Sequence, residues 1–309
     1  MTRVSTQGSY QSALLNLFAA QNRQLDAQTR LATEKIATDL QGFGRTAESI
    51  TALKGAQARI QGFIDTGQTA LARLDAQDLA LNRVSDAMSA LSEAVGNAIA
   101  NESATTLVLE MQNAFQDIRG GLNVEHQGQF AFGGGNTTGA PVGVATLEEL
   151  VAAPDVASTF SNGTLKATSR LSETTTLETG FLASDVGTEV FTILRDIKIF
   201  SDTNPDGPFG AKLTPAQKAY LTGKLTELST AAGNVVNTAG RNGALYKQVE
   251  NINANNDAQA LQLEGLLGKK TDADLAQATV DIKLSEVAIQ ASAQVINGLR
   301  NVSLLNFLS

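Results

Sequence analysis

Both ends of this chain carry helical heptad patterns, and the middle does not. Near the N-terminus Leu14, Phe18, Leu25 and Ala32 recur at steps of four and seven, with Leu17 and Leu31 beside them. Near the C-terminus Leu275, Ile282, Ile289 and Ile296 fall at strict intervals of seven, and Leu299, Leu304, Leu305, Phe307 and Leu308 follow. Such spacing gathers apolar side chains on one stripe of a helix. A stripe this thin does not hold a lone helix together in water. The two terminal helices are therefore expected to pair with each other across the length of the chain. Their stripes are expected to serve as an assembly interface.

The interior reads as long helices interrupted once. Leu53, Ile60, Gly67, Leu74, Leu81, Met88 and Val95 are successive positions seven apart, and at 1.5 Å per residue a helix over 46–100 is about 80 Å long. Glycines 55, 62, 67 and 96 each cost such a helix roughly 1 kcal/mol relative to alanine, which close helix approach or tolerated bending would have to offset. A third helix carries Leu107, Met111, Phe115, Ile118 and Leu122 on one face. At Gln129 the period changes, and residues 133–185, rich in Thr, Ser and Gly, read as strand and loop. Helical pattern resumes near Thr188. Thr214-Pro215 opens a long helix to about Leu267, Gly268 permits a kink, and Thr271 is placed to cap the last helix.

The predicted fold is mainly α, with long antiparallel helical rods, a terminal-helix coiled coil and a small β-rich insertion. Three parts are expected: residues 1–44 with 271–309, residues 45–132 with 186–270, and an outward insertion at 133–185 that the helices do not need.

Composition removes several function classes. A net charge of −8 disfavours nucleic acid as a partner. No apolar run reaches the length of a membrane span, so no membrane insertion is expected. The opening residues lack the basic start and continuous apolar stretch of a secretory signal, so export, if it occurs, is expected without a cleaved peptide. There is no Cys and one His. Neither a thiol nucleophile, a His-based triad nor a multi-histidine metal site can be assembled. His126 reads as an exposed turn residue, Asp272 and Asp274 as helix-capping carboxylates, and Gly133-Gly134-Gly135 as a turn, since no Lys-Ser/Thr follows it. No catalytic, cofactor-binding or metal residue is predicted, and the chain is not expected to be an enzyme.

The two ends resemble the bacterial flagellin superfamily. RVSTQGSYQSALLNL resembles the family's opening, and TDADLAQATVDIKLSEVAIQASAQVINGLRNVSLLNFL its closing segment, with Asp272, Ala273, Asp274, Leu275 and Ala276 matching directly and Ser303, Leu304 and Leu305 matching the end. From Ala37 onward the linker departs from the family pattern. The resemblance covers the first 132 residues and roughly the last 100. Within the superfamily, QFAFGGGNTTGAPV and AGRNGALYKQVENI are more similar to the hook–filament junction branch, the third hook-associated protein, although Tyr246 and Lys247 depart from its usual pair. The filament flagellins are the alternative.

The resemblance implies a structural subunit outside the cell that joins hook to filament. It implies type III export, self-assembly into a ring or tube, and three partners: the first hook-associated protein, flagellin and a cytoplasmic export chaperone. A chemoreceptor-like signalling hairpin is a third reading, but it requires a membrane span or input domain and a plain turn where this chain has its β-like middle.

Overall fold

A computed structural model describes the backbone of residues 2–136 and 139–308 and the side chains of residues 8–136 and 139–299. The chain is mainly α. Helices α1 (Thr2–Thr33), α2 (Ala47–Ala100), α3 (Leu107–Leu122), α4 (Leu147–Ala152), α5 (Ala183–Thr203), α6 (Pro215–Thr271) and α7 (Leu275–Leu308) are joined by two small antiparallel hairpins. These are β1 (Glu125–His126) with β2 (Gln129–Phe130), and β3 (Thr168–Arg170) with β4 (Thr176–Glu178). Two units result. Residues 1–59 with 259–309 form the first and residues 60–258 the second. The divisions fall inside α2 and α6, and residues 133–185 belong to the second unit.

The core of the second unit is built where the helical stripes meet. Leu81, Met88, Leu91 and Val95 of α2 join Met111, Phe115, Ile118 and Leu122 of α3, Val190, Phe191, Leu194 and Ile197 of α5, and Leu221, Leu228 and Val235 of α6. Phe191 lies 5.2 Å from Phe115 and 5.4 Å from Phe160, ring centre to ring centre, a separation at which aromatic pairs add to simple burial. The central segment is not hung outside this core. Val142, Leu147, Leu150, Val156 and Phe181 are buried in it, and Leu171 of the β3–β4 turn packs on Ala70, Leu74 and Val249. Residues 133–185 thus contribute buried side chains to the cores that the helices form. Polar loop composition conceals these apolar anchors, which are spaced too irregularly to show a period.

Local chemistry sets the element ends. The β1–β2 turn has Gln127 and Gly128 at φ 51 and 74, the paired left-handed residues that a two-residue hairpin needs to match strand twist. His126 lies on β1, half-buried, with Nε2 shielded from solvent, so it is not an exposed turn residue. Thr214 and Gln217 open α6 as a capping box: the Gln217 amide donates to Thr214 Oγ1 at 3.2 Å and the Thr214 amide to Gln217 Oε1 at 3.0 Å. Helix α6 runs through Gly268 without a break. Thr271 does not cap α7, because its hydroxyl donates to the Leu267 carbonyl; the Gln277 amide is taken by Asp274 Oδ1 at 3.0 Å instead. Of the α2 glycines, Gly67 alone is used for close approach, since a Cβ there would lie 1.9 Å from Asn253 Oδ1 while Gly62 and Gly96 face open space.

Candidate functional site

In the first unit α1 packs along α7, and the two helices are antiparallel. The seam between them is made of small residues. Ala13, Ala20 and Ala27, seven apart, are buried on α1, with Leu17 and Gln24 half-buried between them. On α7 the matching positions are Ala278 and Ser285, both buried, and Ser292 and Leu299, half-buried. Arg30 bonds to Asp281 across the pair at 3.0 Å. Counting on from that contact along the antiparallel helices brings Ala27, Ala20 and Ala13 to within one residue of Ser285, Ser292 and Leu299. Small side chains let two backbones approach closely at these positions, and larger apolar residues lie half-buried beside them.

A second set of large apolar residues points away from the seam. Phe18 is 56% exposed, Leu25 61%, Leu284 63% and Val287 64%, and Leu15, Leu31, Val280 and Val295 are exposed with them. Among the described residues of the second unit, only Leu79, Leu109, Leu165 and Val236 are large, apolar and exposed; all other such residues lie in the first unit. On α7, Val280, Leu284, Val287 and Ala291 follow one another at three or four residues and form an outward stripe. Each terminal helix thus has two usable faces, one spent on its partner and one uncovered. Exposed apolar patches of this kind are uncommon on isolated soluble proteins.

The predicted interface residues divide between these faces. Leu14, Leu17, Ile282, Ile289, Ile296 and Leu299 are half-buried along the seam, whereas Phe18, Leu25, Leu31 and Leu275 are exposed. Leu304, Leu305, Phe307 and Leu308 lie outside the residues whose side chains are described. The exposed residues Leu15, Val280, Leu284, Val287 and Val295 escaped the sequence reading, although Val280, Leu284 and Val287 repeat at helical spacing.

A short clamp fixes the register of the pair. Helix α1 stops at Thr33, five residues before the expected end at Thr38, because Glu34 turns into the left-handed region at φ 57. Residues beyond it then bond to the α6–α7 connection. The Ile36 amide donates to the Thr271 carbonyl at 2.7 Å, the Ala273 amide to the Glu34 carbonyl at 2.9 Å, and Lys35 Nζ to Asp272 Oδ1 at 2.6 Å. Arg30 also faces Asp26 at 3.1 Å as an ion pair without hydrogen-bond alignment.

Lys35, then Thr271, hold the Asp272 carboxyl below its ordinary pKa by hydrogen bonding. Gln277, then Arg30, do the same for Asp281. A carboxyl whose pKa is depressed in the folded state adds stability above its unfolded pKa of about 3.9 and loses it as pH falls through the folded value. Amide exchange in α1 and α7 is therefore expected to accelerate as pH drops below about 4, after correction for intrinsic rates. Asp272→Asn with Asp281→Asn removes that pH dependence. The effect is modest and salt-sensitive, because Lys35 and Asp272 are about half exposed and the Arg30–Asp281 pair is still partly solvated.

Other chemistry is sparse. Among the described residues no three His, Cys, Asp or Glu side chains are placed to hold a metal ion, and no described helix is long and apolar enough to cross a membrane. Gly133–Gly135 form a tight turn in which Gly134, at φ 60, lies against Leu182 and the Gly163 carbonyl.

No protein-family model matches the sequence, and no curated protein matches it. Solved structures do share its fold. One, from Vibrio parahaemolyticus, described provisionally as a flagellar hook-associated protein, aligns over 76% of this chain and 99% of its own at 15% identity with a TM-score of 0.59. FlgL of Bacillus cereus aligns over 70% of this chain and 99% of its own at 14% identity with a TM-score of 0.55. The fold of this chain is thus that of the flagellar proteins its terminal motifs resemble.

Proposed function

We propose that this chain is a structural, non-enzymatic subunit of the bacterial flagellum that joins hook to filament. It assembles with copies of itself through α1 and α7. The observation that carries this reading is the pairing of a shared hook-associated fold with an uncovered apolar stripe confined largely to the terminal helices. In this reading the seam residues hold the monomer's ends together, and Phe18, Leu25, Leu284 and Val287 meet neighbouring subunits. The first hook-associated protein lies on one side of the junction and flagellin on the other. A cytoplasmic chaperone shields the apolar stripe before type III export without a cleaved signal, and the protein works outside the cell. Filament flagellin is the second reading within the same fold, and the motifs QFAFGGGNTTGAPV and AGRNGALYKQVENI favour the junction.

Electron microscopy of a strain lacking this gene tests the assignment. A junction subunit leaves hooks intact, filaments absent and flagellin lost to the medium, and expression of this chain restores filaments. Filaments that persist with altered composition or length identify a filament subunit instead. Normal hooks and normal filaments overturn both.

A further inference from the structure

Helix α6 carries a heptad stripe that includes buried amides. Leu221, Leu228, Val235, Asn242, Val249 and Asn256 are spaced by seven, and all are buried. The companion row, Leu225, Ala232, Ala239, Tyr246 and Asn253, ends in a third buried asparagine. These side chains have named partners. Asn242 Nδ2 donates to the Leu74 carbonyl of α2 at 2.9 Å, and Asn256 Nδ2 to the Leu171 carbonyl of the β3–β4 turn at 2.9 Å. Asn253 lies directly over Gly67, the one position on the α2 stripe of Ile60, Gly67, Leu74, Leu81, Met88 and Val95 with no side chain.

We infer that Asn242, Asn253 and Asn256, with Gly67, form a register key that allows α2 and α6 to pair in one alignment only. Stripes repeating every seven residues are close to degenerate: a slide of one heptad replaces leucine by leucine, or by valine or methionine. The key removes that degeneracy. A slide of one heptad sets Asn253 over Ile60 or Leu74, where a side chain fills the space that Gly67 leaves. It also takes Asn256 away from the Leu171 carbonyl, which lies on the β3–β4 turn and does not repeat along α2, and leaves a buried donor unbonded. The arrangement is not made for stability. The Oδ1 atoms of Asn242 and Asn253 are screened from solvent and accept no hydrogen bond, so apolar residues of similar shape would pack there without that penalty. A buried polar residue in a heptad stripe gives up stability to fix alignment.

The chain has no cysteine, so Gln68→Cys on α2 and Asn251→Cys on α6, both at exposed positions, take spin labels cleanly. Refolded parent protein is expected to give a single narrow distance between them. Asn242→Leu with Asn256→Leu is expected to melt no earlier than the parent yet to add a second population at longer distance, from helices slid past each other by about 10 Å, one heptad of helix rise. A single parental distance in that variant overturns the inference. Gly67→Ala provides the second arm, whether or not the first variant folds. Alone it should lower the melting temperature and broaden the distance, and adding Asn253→Ala should restore the melting temperature while the distance stays broad. Gly67→Ala with parental melting and distance, or a rescue that also narrows the distance, overturns the inference equally.

Discussion

Replacing residues 138–182 by a short Gly-Ser linker is expected to unfold the second unit. The excised segment carries Val142, Leu147, Leu150, Val156 and Leu171 and the Phe160 ring that covers Phe191. Truncating one such side chain to alanine in a packed core costs about 2–5 kcal/mol. A whole domain is stable by only about 5–15 kcal/mol, so losing even three of these anchors together exceeds the margin. Helices α3 and α5 are affected first, since Phe115 and Phe191 lose the third ring of their stack and Leu122 loses the Phe160 that sits with it against Gly187. The check is circular dichroism with urea unfolding. The deletion variant should lack the cooperative transition that parent protein gives, and Phe160→Ala alone should lower the transition midpoint without abolishing it. A deletion variant that melts cooperatively like its parent would show that the segment covers the helices without supporting them.

That result runs against what composition suggests, and the difference shows what a sequence of this kind discloses. The long helices were legible because their apolar residues repeat: the α2 positions from Leu53 to Val95 lie on one helix as expected. Anchors such as Val142, Leu150 and Leu171 have no periodicity and sit among Thr, Ser and Gly. Nothing local distinguishes them from exposed loop residues; only the core they reach does. The full α6 stripe was equally hidden. Leu221, Leu228, Val235 and Val249 invite a heptad, but Asn242 and Asn256 interrupt it, and polar residues are read as solvent-facing unless a buried partner is known. The β1–β2 hairpin rests on two paired residues per strand, and only the Gln-Gly pair at its turn marks it.

The terminal pair was legible in its partners and in part of its seam, where Ile282, Ile289 and Ile296 lie half-buried. Heptads at both ends correctly brought α1 against α7. Yet attention to large side chains selected Phe18, Leu25 and Leu275, which the structure leaves exposed. Hydropathy weighs leucine and phenylalanine heavily and alanine and serine lightly, so a seam of Ala13, Ala20, Ala27, Ala278 and Ser285 gives almost no signal. Close approach of backbones, not burial of bulk, decides which face turns inward. Clamp residues such as Glu34 and Ile36 were invisible for a related reason. Their contacts are backbone to backbone and depend on where the two connections meet.

Two substitutions three positions or fewer apart separate these faces, and they should rank in opposite order in two assays. Ala20→Leu adds three carbons to a seam position with no exposure, where overpacking costs about 1–3 kcal/mol and forces the helices apart. Phe18→Asp changes a residue that is 56% exposed, where substitutions usually alter stability by less than about 0.5 kcal/mol. In monomeric protein, Ala20→Leu should make α1 and α7 markedly easier to cleave by limited proteolysis, and Phe18→Asp should leave them as resistant as the parent. In assembly the order reverses for Phe18→Asp. A carboxylate placed in an apolar contact between subunits is desolvated without a partner, so motility and filament attachment should be lost although the monomer is intact. Leu284→Asp on the outward stripe of α7 should behave in the same way. Serine at position 18 removes the apolar contact without adding charge, and should give intermediate attachment. If Phe18→Asp and Leu284→Asp variants are exported and still support attached filaments of normal length, the outward stripe is not the surface through which neighbouring subunits meet.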